Sequence, residues 1–241
     1  MEENSEAPVI SLRNVWAGYD LDTVLEDVSF DLFPRDYVGL IGPNGGGKTT
    51  LIKVILGLVV PRHGSVSVMG YSANEGRRYI GYVPQLQISD KAFPINVWDV
   101  VSMGRINPGF SSLRLSAEDR QRIEEALRQT SMLELSKRSI NEISGGQRQR
   151  VYIARALAAQ PRILLLDEAT SSLDVDRERV VNQAVRQLAL TRVIVAHRPE
   201  TIASAGRVIA LASGKLQAGA DWPHVVAASE DGNVYGLRVE E

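Results

Sequence analysis

Cysteine is missing from all 241 residues. That removes disulfides and thiolate metal ligands, and it suits a reducing compartment. An excess of either charge is missing too. Lys and Arg number 27 against 29 Asp and Glu, a formal net charge of -2, whereas chains that hold nucleic acid usually present a basic face. No nucleic-acid partner is therefore expected. Arg148, Arg150 and Arg155 do cluster, but a solvated helix face accounts for them equally well. No apolar run approaches the ~18 residues of a membrane-spanning helix. The opening Met1-Glu2-Glu3-Asn4-Ser5-Glu6 is acidic and polar, the opposite of a secretory signal. A cytoplasmic chain is predicted, peripheral on the inner face of a membrane when a membrane partner is present. Internal repeats and low-complexity segments are also absent. The length suffices for one large α/β domain or a domain with an inserted lobe.

What is there begins with Gly42-Pro43-Asn44-Gly45-Gly46-Gly47-Lys48-Thr49, which fills the pattern G-x-x-x-x-G-K-[ST]. The apolar run Tyr37-Val38-Gly39-Leu40-Ile41 precedes it and the helix-compatible Thr50-Leu51-Ile52-Lys53-Val54-Ile55-Leu56 follows, so the motif sits in a strand, loop, helix context. Glycines let consecutive N–H groups turn toward phosphate oxygens while the new helix points its positive end at the same charge. Lys48 is expected to neutralise β- and γ-phosphates and Thr49 to offer its hydroxyl to Mg²⁺. The alternative, a glycine turn that binds nothing, lacks any reason for the Lys-Thr pair.

Val28–Leu32 alternates apolar and polar residues as a half-exposed strand does, and 66–68 and 79–83 read as further short strands. From Val97 to about Ala159 the pattern is helical. Ser116-Ala117-Glu118-Asp119 is a capping start for a helix with Ile123, Ala126 and Leu127 on one side. Strands return at 163–167 and 193–196, separated by a helix carrying Val181, Ala184, Val185 and Leu188 on one face. That order predicts a right-handed β-α-β crossover in a parallel sheet.

Ile163-Leu164-Leu165-Leu166-Asp167-Glu168 is a buried-strand run that ends in two carboxylates, and open α/β sheets hold their ligands at the carboxyl ends of strands. Asp167 is placed on Mg²⁺, directly or through water, and Glu168 beyond it as general base for the attacking water. Taken alone, the run is equally a core strand with a solvated acidic turn.

Ser144-Gly145-Gly146-Gln147, followed by Arg148-Gln149-Arg150 and a helix through Leu157, resembles the signature motif of ATP-binding-cassette (ABC) ATPases, with Ile143 where Leu is usual. Ser144 can cap that helix while the glycines bare its backbone. An ordinary capped helix could look the same, but other motifs follow in family order. Gln85 matches the family's Q-loop, Asp174 in Ser171-Ser172-Leu173-Asp174 its D-loop, and His197 its switch histidine. Tyr19, placed ahead of the first hairpin, matches the aromatic on which adenine stacks; an exposed turn tyrosine is the alternative. The resemblance covers roughly residues 8 to 218.

It implies an α/β fold, a P-loop NTPase of ABC type with a mixed core sheet, an antiparallel N-terminal β-subdomain and an inserted helical subdomain. The divisions expected are 8–86 for the core with its β-subdomain, 87–160 for the helical subdomain with the signature, 161–218 for the rest of the core and 219–241 for a hairpin-like appendage. The cofactors implied are ATP and Mg²⁺. The catalytic set implied is Glu168, His197 and Gln85. Nucleotide contacts are implied for Tyr19, Gly42, Asn44, Gly45, Gly46, Gly47, Lys48, Thr49, Thr50, Ser144, Gly145, Gly146, Gln147 and Asp174, and metal contacts for Thr49, Gln85 and Asp167. The partners implied are an integral membrane transporter subunit and a second copy of the chain, closing head to tail on two ATP molecules.

Residues 9 to about 145 look like the ATPases of zinc and manganese importers. From about Arg148, the stretch with Ala169 and Ala196-His197-Arg198-Pro199 is closer to peptidase-containing bacteriocin exporters, which gives the sequence a mosaic look. Trp222–Leu237 resembles one hairpin of a quinoprotein-type propeller blade and is assigned no chemistry. The alternatives to a transporter ATPase are a recombined or engineered chimera that binds ATP as a scaffold and a soluble family member in translation or DNA repair. The absence of a second cassette, heptads or a basic stripe opposes the last.

Overall fold

The computed structural model describes residues 6–84, 95–105, 115–167, 190–195, 202 and 205–217. By their contacts these fall into two units: 6–80, 162–167, 190–195, 202 and 205–217 in the first, and 81–84, 95–105 and 115–161 in the second.

The first unit holds two sheets. In one, β1 (Ile10–Tyr19) pairs antiparallel with β2 (Asp22–Leu32) and with β4 (His63–Val68), and β5 (Tyr71–Ser72) closes the far edge. Leu12, Val15 and Ala17 of β1 and Leu25, Val28, Phe30 and Leu32 of β2 are buried. The alternation slips where β1 and β2 shift register. Asn14 and Asp27 there take positive φ of 46° and 53°, which short polar side chains tolerate. The Asn14 side chain donates to Asp27 Oδ1 at 2.9 Å, and its backbone N–H donates to Ser29 Oγ at 2.7 Å. Across the two strands, Arg13 of β1 and Asp31 of β2 pair at 2.8 Å.

The other sheet is built on β3 (Tyr37–Ile41), with β7 (Ile163–Leu166), β8 (Thr191–Val195), β9 (Arg207–Ala212) and β10 (Lys215–Gln217). Its order within this unit is β10-β9-β3-β8-β7. β3 runs parallel to β8 and β9, β7 parallel to β8, and β10 antiparallel to β9. Every residue of β3, β7 and β8 is buried, as parallel strands covered on both faces must be. Each fully buried aliphatic in such a strand adds roughly 1.5–3 kcal/mol relative to exposure. Thr191 fixes the start of β8 beside β3: its hydroxyl donates to Phe33 O at 3.0 Å and accepts from Arg35 N–H at 2.9 Å. Helix α1 (Lys48–Ile55) leaves the loop after β3.

The second unit comprises most of β6 (Ile80–Val83), then α3 (Val97–Ser102), α4 (Ala117–Gln129) and α5 (Gly145–Ala158); the one-turn α2 (Ala73–Gly76) belongs to the first. The caps of α4 and α5 are those read from the sequence, whereas Asn96, which caps α3 by accepting from Asp99 N–H, was not among them. Ser116 and Asp119 form a reciprocal capping box on α4, and Ile123, Ala126 and Leu127 are its buried face. Arg105 then reaches Asp119 Oδ1 at 2.8 Å and Ala158 O at 3.3 Å, so one guanidinium ties α4 to the end of α5. β9 and β10 carry no place in the sequence reading, and the strand read at 193–196 starts earlier, at Thr191. The helix read over Val181–Leu188 and the hairpin read over 222–237 lie outside the described residues.

Candidate functional site

The predicted phosphate loop turns sharply at its first residue. Gly42 has φ 149°, and a Cβ there would stand 1.9 Å from Leu211 O of β9. No side chain can occupy that position, so β9 is the floor on which the loop rests. At the other end Gly47 caps α1 with φ 102°. Between them Gly46 N–H donates to Pro43 O at 3.0 Å, and Gly46 O accepts from Gly214 N–H at 3.2 Å. Gly214 O in turn accepts from Glu26 N–H at 2.9 Å. The turn between β9 and β10 thus stands between the loop and β2, bonded to both.

Lys48 is 5% exposed. Its ammonium donates to Gly42 O at 2.8 Å and Pro43 O at 2.9 Å, which holds it across the loop by the loop's own carbonyls. An incoming phosphate competes for the same ammonium and gains a charge-assisted bond. Pro43, Asn44, Gly45 and Thr49 are exposed, whereas Gly46, Gly47 and Thr50 are buried. No acid occupies the first turn of α1, so its helix dipole faces outward uncompensated within that turn.

Asp167 follows β7 directly and is 5% exposed. Ile194 of β8 is registered with both Gly39 of β3 and Leu166 of β7, so Asp167 leaves the same edge of the sheet as the glycine loop. With one strand between, the two strand ends are about 10 Å apart at ~4.8 Å per strand step. A triphosphate with its metal spans such a gap. The Thr49 hydroxyl and the Asp167 carboxylate are hard oxygen donors, the kind Mg²⁺ takes while keeping waters and phosphate oxygens. Among the described residues no cluster of three or more His, Cys, Asp or Glu side chains is placed to hold a metal ion.

Tyr19 is the last residue of β1 and 43% exposed. It lies inside the first hairpin, which corrects its placement ahead of it: β1 begins at Ile10 and its bulge hides the alternation. Lys53 of α1 donates to Tyr19 Oη at 3.2 Å. Lys53 and the β9–β10 turn were not legible as site residues. An i+5 lysine on a helix carries no motif, and the Ser-Gly-Lys turn is common to any hairpin.

In the second unit, Ser144 caps α5 as read. Its Oγ accepts from Gln147 N–H at 3.2 Å, and Gln147 Oε1 accepts from Ser144 N–H at 2.9 Å. Gly145, the first residue of this 14-residue helix, is exposed with nothing within 4 Å of where a Cβ would be, whereas Gly146 is buried and the Gln147 N–H is taken by Ser144 Oγ. The approach to this turn is anchored on α3. Val97 and Trp98 N–H donate to Arg138 O and Ser136 O at 3.0 and 2.8 Å, and Ile140 N–H donates to Ile95 O at 3.0 Å. Further along α5, Gln149 is fully buried, and among the described residues neither side-chain amide atom has a hydrogen-bond partner. Gln85, Glu168, Asp174 and His197 lie outside the described residues.

The profile of a family described as "ABC transporter" matches residues 25–171. The chain is 38% identical over 200 residues to the Bacillus subtilis high-affinity zinc uptake system ATP-binding protein ZnuC, covering 80% of this chain and 86% of that one. It is 39% identical over 184 residues to the manganese transport system ATP-binding protein MntB of Halalkalibacterium halodurans, covering 75% and 72%. Among solved structures it superposes at a TM-score of 0.73 and 28% identity on the dimeric post-hydrolysis state of the ATP-binding cassette MJ0796 bound to ADP and phosphate, covering 86% of this chain and 96% of that one.

Proposed function

The chain belongs to the ABC transporter family and is an ATP-binding, ATP-hydrolysing transporter subunit, and on that premise we propose which of its residues do the work and what it transports. The observation that carries the assignment is the glycine loop seated on β9, with buried Lys48 spanning it and Asp167 leaving the same sheet edge. Gly42, Asn44, Gly45, Gly46, Gly47 and the first turn of α1 with Thr49 and Thr50 cradle the phosphates, Lys48 balances their charge, and Tyr19 stacks the adenine. Thr49, Asp167 and Gln85 hold Mg²⁺, which when bound draws charge from the β- and γ-phosphates. Glu168 takes the proton of the attacking water, and His197 steadies the γ-phosphate.

The N-terminus of α5, with Ser144, Gly145, Gly146 and Gln147, meets the γ-phosphate of a second copy, joined by Asp174. Two copies close head to tail on two ATP molecules, and a separate integral membrane subunit takes up the motion through the helical subdomain. The working division is 8–86, 87–160, 161–218 and 219–241. The chain works at the cytoplasmic face of the membrane. Likeness to zinc and manganese uptake ATPases supports a divalent metal as cargo. A second reading, favoured by Ala169 and Ala196-His197-Arg198-Pro199, is a mosaic joined near Arg148 whose later part is of exporter type.

Phosphate release from the purified chain with Mg-ATP tests the enzymatic core. Glu168→Gln should lower the rate by about 10²–10⁴, the usual worth of a general base. An unchanged rate removes Glu168 from the role.

A further inference from the structure

We propose that Lys53 and Arg62 are positioning residues for the base of the nucleotide, holding Tyr19 in the attitude it needs before ATP arrives; the inference rests on the reading of Tyr19 as the stacking residue. A half-exposed ring at the tip of a hairpin has rotamers to lose when a base settles on it, and pre-ordering it removes that loss from the binding step. Two cations do the ordering. Lys53 Nζ is 3.2 Å from the Tyr19 hydroxyl and 5.4 Å from the ring centre. It therefore grips the ring at its hydroxyl end while standing over one face, so that a base settles on the other.

Arg62 holds the turn itself. One guanidinium nitrogen donates to Asp20 O at 2.5 Å and Asp22 O at 3.2 Å, and the other donates to Thr23 Oγ1 at 3.2 Å. Its backbone N–H donates to Trp16 O at 2.7 Å. A single residue thus joins β1, the turn and β2 on either side of Tyr19. Lys53 also refers the ring to α1, the helix whose first turn carries Lys48 and Thr49. At 1.5 Å per residue the rise from Lys48 to Lys53 is about 7.5 Å, so one rigid element spaces the phosphate end of the site from the base end.

The test uses the full chain, with ATP and inorganic tripolyphosphate displacing a fluorescent ATP analogue. Tripolyphosphate has no base, so a role at the base leaves its affinity alone, whereas general damage to the loop lowers both. Tyr19→Ala should weaken ATP about tenfold or more, in line with loss of a stacked base. Tyr19→Phe and Lys53→Met should each weaken ATP about threefold. Together they should cost no more than either alone, since both delete one bond. Arg62→Gln should cost about three- to fivefold in the native background and nothing further beside Tyr19→Ala. Tripolyphosphate should bind equally throughout. If Tyr19→Ala is defective while Tyr19→Phe, Lys53→Met and Arg62→Gln match the native chain, the positioning role is wrong and the stacking role stands. Parallel loss of tripolyphosphate makes the two cations structural and overturns the inference. Full ATP affinity in Tyr19→Ala removes the stacking residue and the inference with it.

Discussion

At the scale of single residues, charge and burial decide the outcomes. Lys48 is buried and already engaged by carbonyls, so its removal leaves both the loop and a phosphate without a compensating cation. Lys48→Ala should weaken ATP at least ~30-fold, the lower range for truncating one side of a buried charge pair; a titration showing native affinity would remove Lys48 from the phosphate site. Gln149 makes the opposite argument. An amide buried without partners costs roughly 1–3 kcal/mol in lost solvation, so Gln149→Met, close in volume, should raise the melting temperature of the chain. A lower one would mean that the amide is satisfied in solution. The glycines, Lys48 and Ser144 were legible because their chemistry is local: each motif carries its own geometry within eight residues. Gln149 and Lys53 were not, since what makes them notable is burial without a partner among the described residues in one case and a neighbour 34 positions away in the other.

Helices are where the sequence spoke most fully. The period of Ile123, Ala126 and Leu127 and the Ser116-to-Asp119 spacing place α4 and its cap, because helix-forming bonds and capping bonds are short in sequence. Asp119 also carries a pH signature. Hydrogen bonds from Ser116, first its hydroxyl and then its backbone N–H, with Arg105 beside them, lower its pKa from 3.8 to about 2. A depressed carboxylate contributes stability that is whole above its unfolded value and is lost as pH falls through its folded one. Stability should therefore decline between about pH 4 and pH 2. Acid titration followed by circular dichroism should show Asp119→Asn with a flatter slope in that window; identical slopes would break the link. Strands were less legible. β7 and β8 read as aliphatic runs, but β9 and β10 did not stand out, and nothing local says that β3 lies between two strands made some 150 residues later.

For the whole molecule, the proposed head-to-tail pairing brings the N-terminus of α5 to the γ-phosphate of a second copy. Glu168→Gln keeps shape and removes basicity, so Mg-ATP should accumulate a homodimer that light scattering resolves, because ATP bridging two surfaces favours the dimer by mass action. A variant that binds ATP yet stays monomeric would favour the scaffold reading, in which the two parts of a mosaic no longer match.

The seat of the phosphate loop on β9, and its bond to Gly214, has a consequence for how the protein is made. Residues 42–49 leave the ribosome well before the strand beneath them, which ends at Ala212, and before the Ser213-Gly214 turn, whose Gly214 N–H donates to Gly46 O. Contacts this distant in sequence form late and slowly. Until β9 and β10 have emerged the nascent chain therefore carries the complete motif without the floor of its loop, and nucleotide cannot template folding through that loop before then.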